Sequence, residues 1–138
     1  MKDSECLFCK IIEKAIPSET IFEDELTFAF LDIQQETTGH TLVVLKDHSE
    51  NILETPEEQL GPLWVSVKKV AGLLKEKLAP AGFTFTINHG RIAGQIIDHL
   101  HVHIIPRYDE VSFHRVPATG EGVLRALRDK ILGSGVSQ

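Results

Sequence analysis

Three histidines at alternate positions, His99, His101 and His103, are the densest chemistry in this sequence. On an extended strand, residues two apart share a face. The run His99-Leu100-His101-Val102-His103-Ile104-Ile105 therefore turns three imidazoles to one side and Leu100, Val102 and Ile104 to the other. A buried imidazole needs both its N–H and its lone pair satisfied, so packing alone is a poor reason for such a row. A solvated strand face would explain one incidental histidine better than three. Two chemistries make use of the row. Two rings can chelate a catalytic metal, as His-x-His on a strand does. Alternatively, one neutral ring acts as a nucleophile while its neighbours donate to a developing charge. Like-charge repulsion disfavours protonation of several rings at once, so at least one stays neutral near pH 7.

The second cluster is Cys6-x-x-Cys9, which holds both cysteines of the chain. Three residues apart, they cannot staple distant segments, which excludes a disulfide-built secreted scaffold. A redox pair would want a thioredoxin-like setting that the sequence lacks. That leaves an incidental thiol pair or half of a structural zinc site, which takes four nitrogen or sulfur ligands in a tetrahedron.

These side chains need elements to hold them. The apolar stripe Leu7, Phe8, Ile11, Ile12 and Ala15 predicts a helix over about Ser4–Ala15, ended by Pro17. Ile21–Phe22 and Leu26–Leu31 read as strands around the acidic turn Glu23-Asp24-Glu25, and Thr41–Leu45 as a buried strand. Thr55 as N-cap, Pro56 at the first helical position and Glu58 completing a capping box open a long helix. Its apolar positions run from Leu60 to Leu78, and Pro80 and Gly82 close it. Phe83–Asn88 alternates as a half-buried strand, 90–94 is a loop, His99–Arg107 is a strand, and Glu121–Leu132 is a last helix. Strands that cluster between helices favour an α+β fold with a mostly antiparallel sheet and helices on one face.

The 138 residues, 42% of them hydrophobic, suit one domain spanning 1–138, with 133–138 a frayed end. A net charge of −6 argues against coating nucleic acid. No apolar run approaches the roughly 18 residues that span a bilayer, and the N-terminus is too polar for a secretory signal. The expectation is a cytoplasmic protein with no nucleic-acid or membrane partner.

The histidine run resembles the His-φ-His-φ-His-φ-φ signature of the histidine triad (HIT) nucleotide hydrolases and transferases. The resemblance extends over about residues 5–108, with 109–138 as a C-terminal extension. It includes Leu7-Phe8-Cys9-Lys10-Ile11-Ile12, Ile16-Pro17, Phe22-Glu23-Asp24, Ala29-Phe30-Leu31-Asp32-Ile33, Gly39-His40-Thr41-Leu42-Val43, Asn88-His89-Gly90 and Gly94-Gln95. With Pro106-Arg107-Tyr108, it points to the bacterial Hit proteins of the Hint-like branch. It implies a five-stranded sheet with a long central helix and a shorter N-terminal helix.

The resemblance also implies roles. His101 aligns with the nucleophile that attacks an α-phosphorus and carries the nucleotidyl group. His103 and His40 align with the histidines that contact the phosphate and support it. Asn88 aligns with an amide near the leaving group, and Gly94-Gln95 with a turn that offers backbone N–H groups to the phosphate. Asp32 aligns with the acid that binds the ribose hydroxyls. Leu7, Phe8, Ile11, Ile16, Phe30 and Ile33 align with the apolar base cleft, although Ile11 and Ile16 serve equally well as plain core. In bacterial relatives that share the cysteine pair, His48 and His99 complete a zinc site, which would take His99 out of the catalytic row.

The implied substrate is a purine nucleotide of the AMP or GMP type, carried as a phosphoramidate or as a dinucleoside polyphosphate. The implied assembly is a homodimer, with the long helix and Phe83–Asn88 as its candidate interface. One departure stands out. Ile96 occupies a position where many members carry a hydroxyl residue thought to protonate the leaving group, which leaves a nucleotide-binding module with weak catalysis as an alternative. Asp98 stands where an apolar or aromatic residue is common. His89 and His114 are left without a task.

Overall fold

The computed structural model describes residues 3–109 and 121–133. His114 and most of the 109–138 extension, including nearly all of the expected frayed end, lie outside the described residues. The elements run α1 (Leu7–Ile12), β1 (Thr20–Glu23), β2 (Thr27–Leu31), β3 (Thr41–Leu45), α2 (Glu57–Leu78), β4 (Gly82–Thr86), β5 (His101–Arg107) and α3 (Glu121–Leu132). The fold is α+β. Its five strands form one sheet in the order β1-β2-β3-β5-β4, and every neighbouring pair is antiparallel.

The central strands β2 and β3 are buried along their whole length, so both faces of the sheet carry core. Ala29, Leu31, Val43, Leu45, Val102 and Ile104 face Leu63, Val67, Val70 and Leu74 of α2 and Leu124 and Ile131 of α3. Phe28, Phe30, Leu42 and Val44 face the other way, against Phe8, Cys9, Ile11 and Ile12. The helices therefore do not all share one face, as the clustering of strands suggested: α2 and α3 cover one side and α1 the other. His101 lies opposite Val44 and His103 opposite Leu42, which puts both rings on the α1 side.

Several boundaries differ from the sequence expectation for local reasons. Helix α1 is short because Cys6 caps it, its Sγ accepting from the Cys9 N–H at 3.4 Å, and Lys14 at φ 69° breaks the helical path before Pro17. The capping box of α2 does not form. Pro56 is the N-cap and makes no side-chain cap bond, while the Thr55 hydroxyl donates to the Asn51 carbonyl at 2.8 Å. Strand β5 starts at His101, because His99 N–H turns back to the Ile97 carbonyl and Leu100 N–H goes to the Ser49 carbonyl.

Candidate active site and metal centre

A cavity of about 330 Å³ lies on the α1 side of the sheet. Leu7, Phe8 and Ile11 from α1, Phe30, Asp32 and Ile33 from the end of β2, and His101 and His103 from β5 all line it. Asn88, Gly94 and Ile96 close it from the 88–97 loop. Phe8 stands edge-on to both Phe30, with centroids 5.3 Å apart, and His101, at 5.1 Å. One end of the cavity is thus walled by apolar side chains and the other by imidazoles. Ile16 instead packs against the apolar cluster beneath α1.

The protonation pattern of the imidazoles follows from their partners. A carbonyl oxygen only accepts, so the 2.7 Å contact from His101 Nδ1 to the His99 carbonyl puts the proton on Nδ1. The lone pair of His101 is then on Nε2. The backbone N–H of Glu36 donates to His40 Nδ1 at 3.2 Å, so neutral His40 carries its proton on Nε2. That proton is donated to His103 Nδ1 at 3.0 Å, which leaves His103 with its proton on Nε2. One ring presents a lone pair and its neighbour a donor. This pattern disfavours joint chelation by His101 and His103, because a metal needs a lone pair on each ligating nitrogen. Burial first, and then the neighbouring His101 and His40, together push the His103 ring down to about 4. Burial also lowers His101, against the opposing pull of its bond to His99 and of the Asp32 carboxylate. Both rings are neutral near pH 7.

The loop that holds His40 and Asp32 is pinned by Gln35, which the sequence reading did not single out. Buried Gln35 donates through Nε2 to the carbonyls of Asp32 (2.6 Å) and His40 (2.8 Å) and accepts the Gly39 N–H at 2.8 Å. Asp32 Oδ2 sits 3.5 Å from His40 Nε2. Gly39 has φ +96°, and a Cβ there would meet Leu78 Cδ1 at 2.6 Å, so the turn into His40 needs glycine.

The Gly94-Gln95 turn is arranged differently from the expected phosphate nest. Gly94 N–H is donated to the Arg91 carbonyl and Gln95 N–H to the Gly90 carbonyl, both at 3.0 Å. The buried Gln95 side chain ties the loop down, accepting from Gly90 N–H and donating to the carbonyls of Glu50 and Ile97. Gly94 lines the cavity, with φ +99° and room for only a tight Cβ beside Asn88 Nδ2, at 3.3 Å. Leu42 and Ile97 also line the cavity. Leu42 read simply as a buried strand residue, and only the pairing of β3 with β5 brings it under His103.

Behind the cavity, Cys6, Cys9, His48 and His99 bring four donor atoms within 4.8 Å of one another. Cys6 Sγ lies 3.4 Å from His99 Nδ1, and Cys9 Sγ lies 3.6 Å from His99 Nδ1 and 3.4 Å from His48 Nδ1. Tetrahedral zinc separates its sulfur and nitrogen ligands by about 3.6 Å, so the four residues fit that ion. His99 is also in the right tautomer. Its Nε2 donates to the Leu45 carbonyl at 2.8 Å and leaves Nδ1 free of a proton toward the thiols. Burial pushes the Cys6 thiol up to about 11, and a bound cation would displace its proton.

The site thus sets a histidine face beside an apolar cleft, and the comparisons name the family. The HIT domain model matches residues 13–110, so the chain belongs to the HIT family. It is 47% identical over 103 residues to Protein hit of Bacillus subtilis, covering 75% of this chain and 71% of that one. It is 40% identical over 122 residues to an adenosine 5'-monophosphoramidase of Candida albicans, covering 86% and 76%. Among solved structures, a Hit-like protein from Bartonella henselae superposes with a TM-score of 0.88 at 33% identity, covering 96% of this chain and 98% of that one. A zinc-bound histidine triad family protein from Mycobacterium smegmatis superposes with a TM-score of 0.79 at 34% identity, covering 97% and 98%.

Proposed function

We propose that the protein cleaves nucleoside phosphoramidates of the AMP or GMP type through a covalent nucleotidyl-His101 intermediate. The observation that carries this reading is the tautomer of His101, whose Nδ1–H is held by the His99 carbonyl while Nε2 keeps its lone pair. Nε2 attacks the α-phosphorus, a P–N bond forms, and the bond to the leaving amine breaks as that nitrogen takes a proton from solvent water. The His99 carbonyl stabilises the positive charge that grows on the ring. His103 Nε2–H donates to a phosphate oxygen, and His40 holds His103 in that tautomer. Water then attacks the phosphorus and gives up its proton to solvent, the electron pair of the P–N bond returns to Nε2, and the nucleoside monophosphate leaves. Asp32 receives the ribose hydroxyls, Asn88 and Gly94 border the phosphate, and Leu7, Phe8, Phe30 and Ile33 hold the purine. For Gln95 the reading is a scaffold for this loop.

Cys6, Cys9, His48 and His99 would hold a structural zinc, which fixes α1 to the start of β5. A homodimer is part of the same reading, joined through α2 and β4. Mass spectrometry of protein quenched during turnover tests the mechanism, with an AMP adduct expected on the peptide that contains His101. His101→Ala should lower turnover by at least about 10³-fold and leave AMP affinity within threefold. Undiminished turnover by that variant would sink the assignment.

A second reading is a nucleotide-binding module with little catalysis. It is favoured by Ile96, which is 77% exposed and lines the cavity where a hydroxyl would serve as proton donor. Measurable AMP affinity without turnover of phosphoramidates or dinucleoside polyphosphates would select it.

A further inference from the structure

The family model ends at residue 110, yet α3 builds one wall of a second cavity of about 520 Å³. This cavity shares Pro17, Ser18, Leu31 and Ile33 with the nucleotide cleft, so the two spaces meet along that rim. The shared rim involves neither the imidazoles nor the 88–97 loop, and so belongs to the apolar end of the cleft. Across from it stand Leu124 and Arg125 of α3. The wall is fixed in place. The Glu19 carboxylate, 12% exposed, ion-pairs with Arg128 at 3.0 Å and clamps α3 to the entry of β1.

We propose that this second cavity takes a substituent on the nucleobase, so that the preferred ligands are purine nucleotides alkylated or arylated on the exocyclic nitrogen. The proposal rests on the nucleotide reading of the neighbouring cleft. With the phosphate at His101 and the ribose at Asp32, the base extends toward Pro17, Ser18 and Ile33. The exocyclic nitrogen of a purine's six-membered ring lies opposite the sugar, so a group attached there projects across the rim. The lining suits a mixed group. Leu31, Ile33 and Leu124 offer apolar surface, while Ser18 and the 59% exposed Arg125 offer polar tips at the mouth. A benzyl group that buries about 60 Å² there gains roughly tenfold in affinity at ~25 cal/mol per Å².

Calorimetric titration of the full chain with AMP and with N6-benzyl-AMP tests this. The wild type should bind the benzyl nucleotide about tenfold more tightly. Arg125→Trp, on the exposed side of α3, should fill the cavity and erase that preference while leaving AMP affinity within twofold. Leu124→Phe, which narrows the same cavity from its floor, should reduce it. Normal AMP binding with equal or weaker binding of the benzyl nucleotide overturns the extension alone, as does a preference that survives both variants. No binding of either nucleotide overturns the cleft reading and the extension with it.

Discussion

At the scale of single residues, the histidine face is governed by where its protons sit. Glu36 N–H fixes His40, His40 fixes His103, and the His99 carbonyl fixes His101. One consequence is a pH dependence of stability. His103 titrates at about 4 in the folded protein, against 6.5 ordinarily. As pH falls below 6.5, the unfolded chain takes up a proton that the native ring refuses, so stability drops progressively toward pH 4. Above about pH 7.5 both forms are neutral and the ring adds no pH dependence. Melting temperatures between pH 7.5 and 4.5 should therefore fall more steeply for the wild type than for His103→Asn, and parallel slopes would refute the shift. A second consequence concerns Ile96, which has no proton for a leaving amine. Ile96→Ser should raise kcat on phosphoramidates with basic amines about 100-fold, at the lower end of the range of general acid catalysis. A rate unchanged across a series of amines would mean that protonation does not limit this enzyme. The histidine spacing made these side chains visible in the sequence. Gln35 and Gln95 were not legible as scaffolds, because their partners are backbone groups that only the folded loops bring together.

The elements divide into those set by local periodicity and those set by distant partners. The apolar stripe of α2 and the alternation of β5 were readable because each is a repeat within one segment. The insertion of β5 between β3 and β4 was not, since sheet order depends on contacts about 60 residues apart in sequence that leave no local mark. Helix α1 is the instructive case. It has six residues, too few to be stable alone, and it is held by its apolar face and by the cysteine–histidine cluster at its first turn. The same turn presents Leu7 and Phe8 to the cavity. Loss of the cluster should thus loosen the cleft wall before it touches the nucleophile. Cys9→Ala, or exhaustive chelation of zinc-loaded protein, is expected to lower the melting temperature by at least about 5 °C and to raise KM about tenfold with a smaller fall in kcat. An unchanged melting temperature would show that the four residues do not serve as a metal clip.

For the whole molecule, the two faces of the sheet carry different duties. The α1 face holds the cavity and the metal cluster, while the α2 face buries the larger of the two core clusters. What that second side leaves uncovered is informative. Strand β4 ends the sheet order, and Phe85 on it is 44% exposed beside Trp64 of α2, 40% exposed. With Phe83, Val67 and Ala71 they line an apolar depression flanked by Lys68 and Lys75. An edge strand beside exposed aromatics invites pairing, and a second copy of the same face supplies both a strand edge and apolar surface. The net charge of −6 opposes close approach of two copies, but the two lysines offset it at this face. If the homodimer forms here, Trp64→Glu should bury a charge against its own copy and shift the protein to monomer at about 10 μM in sedimentation velocity. Because the phosphate end of the cleft lies on the opposite side of the sheet, the monomeric variant should still form the His101 adduct. A Trp64→Glu protein that sediments as a dimer would move the interface elsewhere.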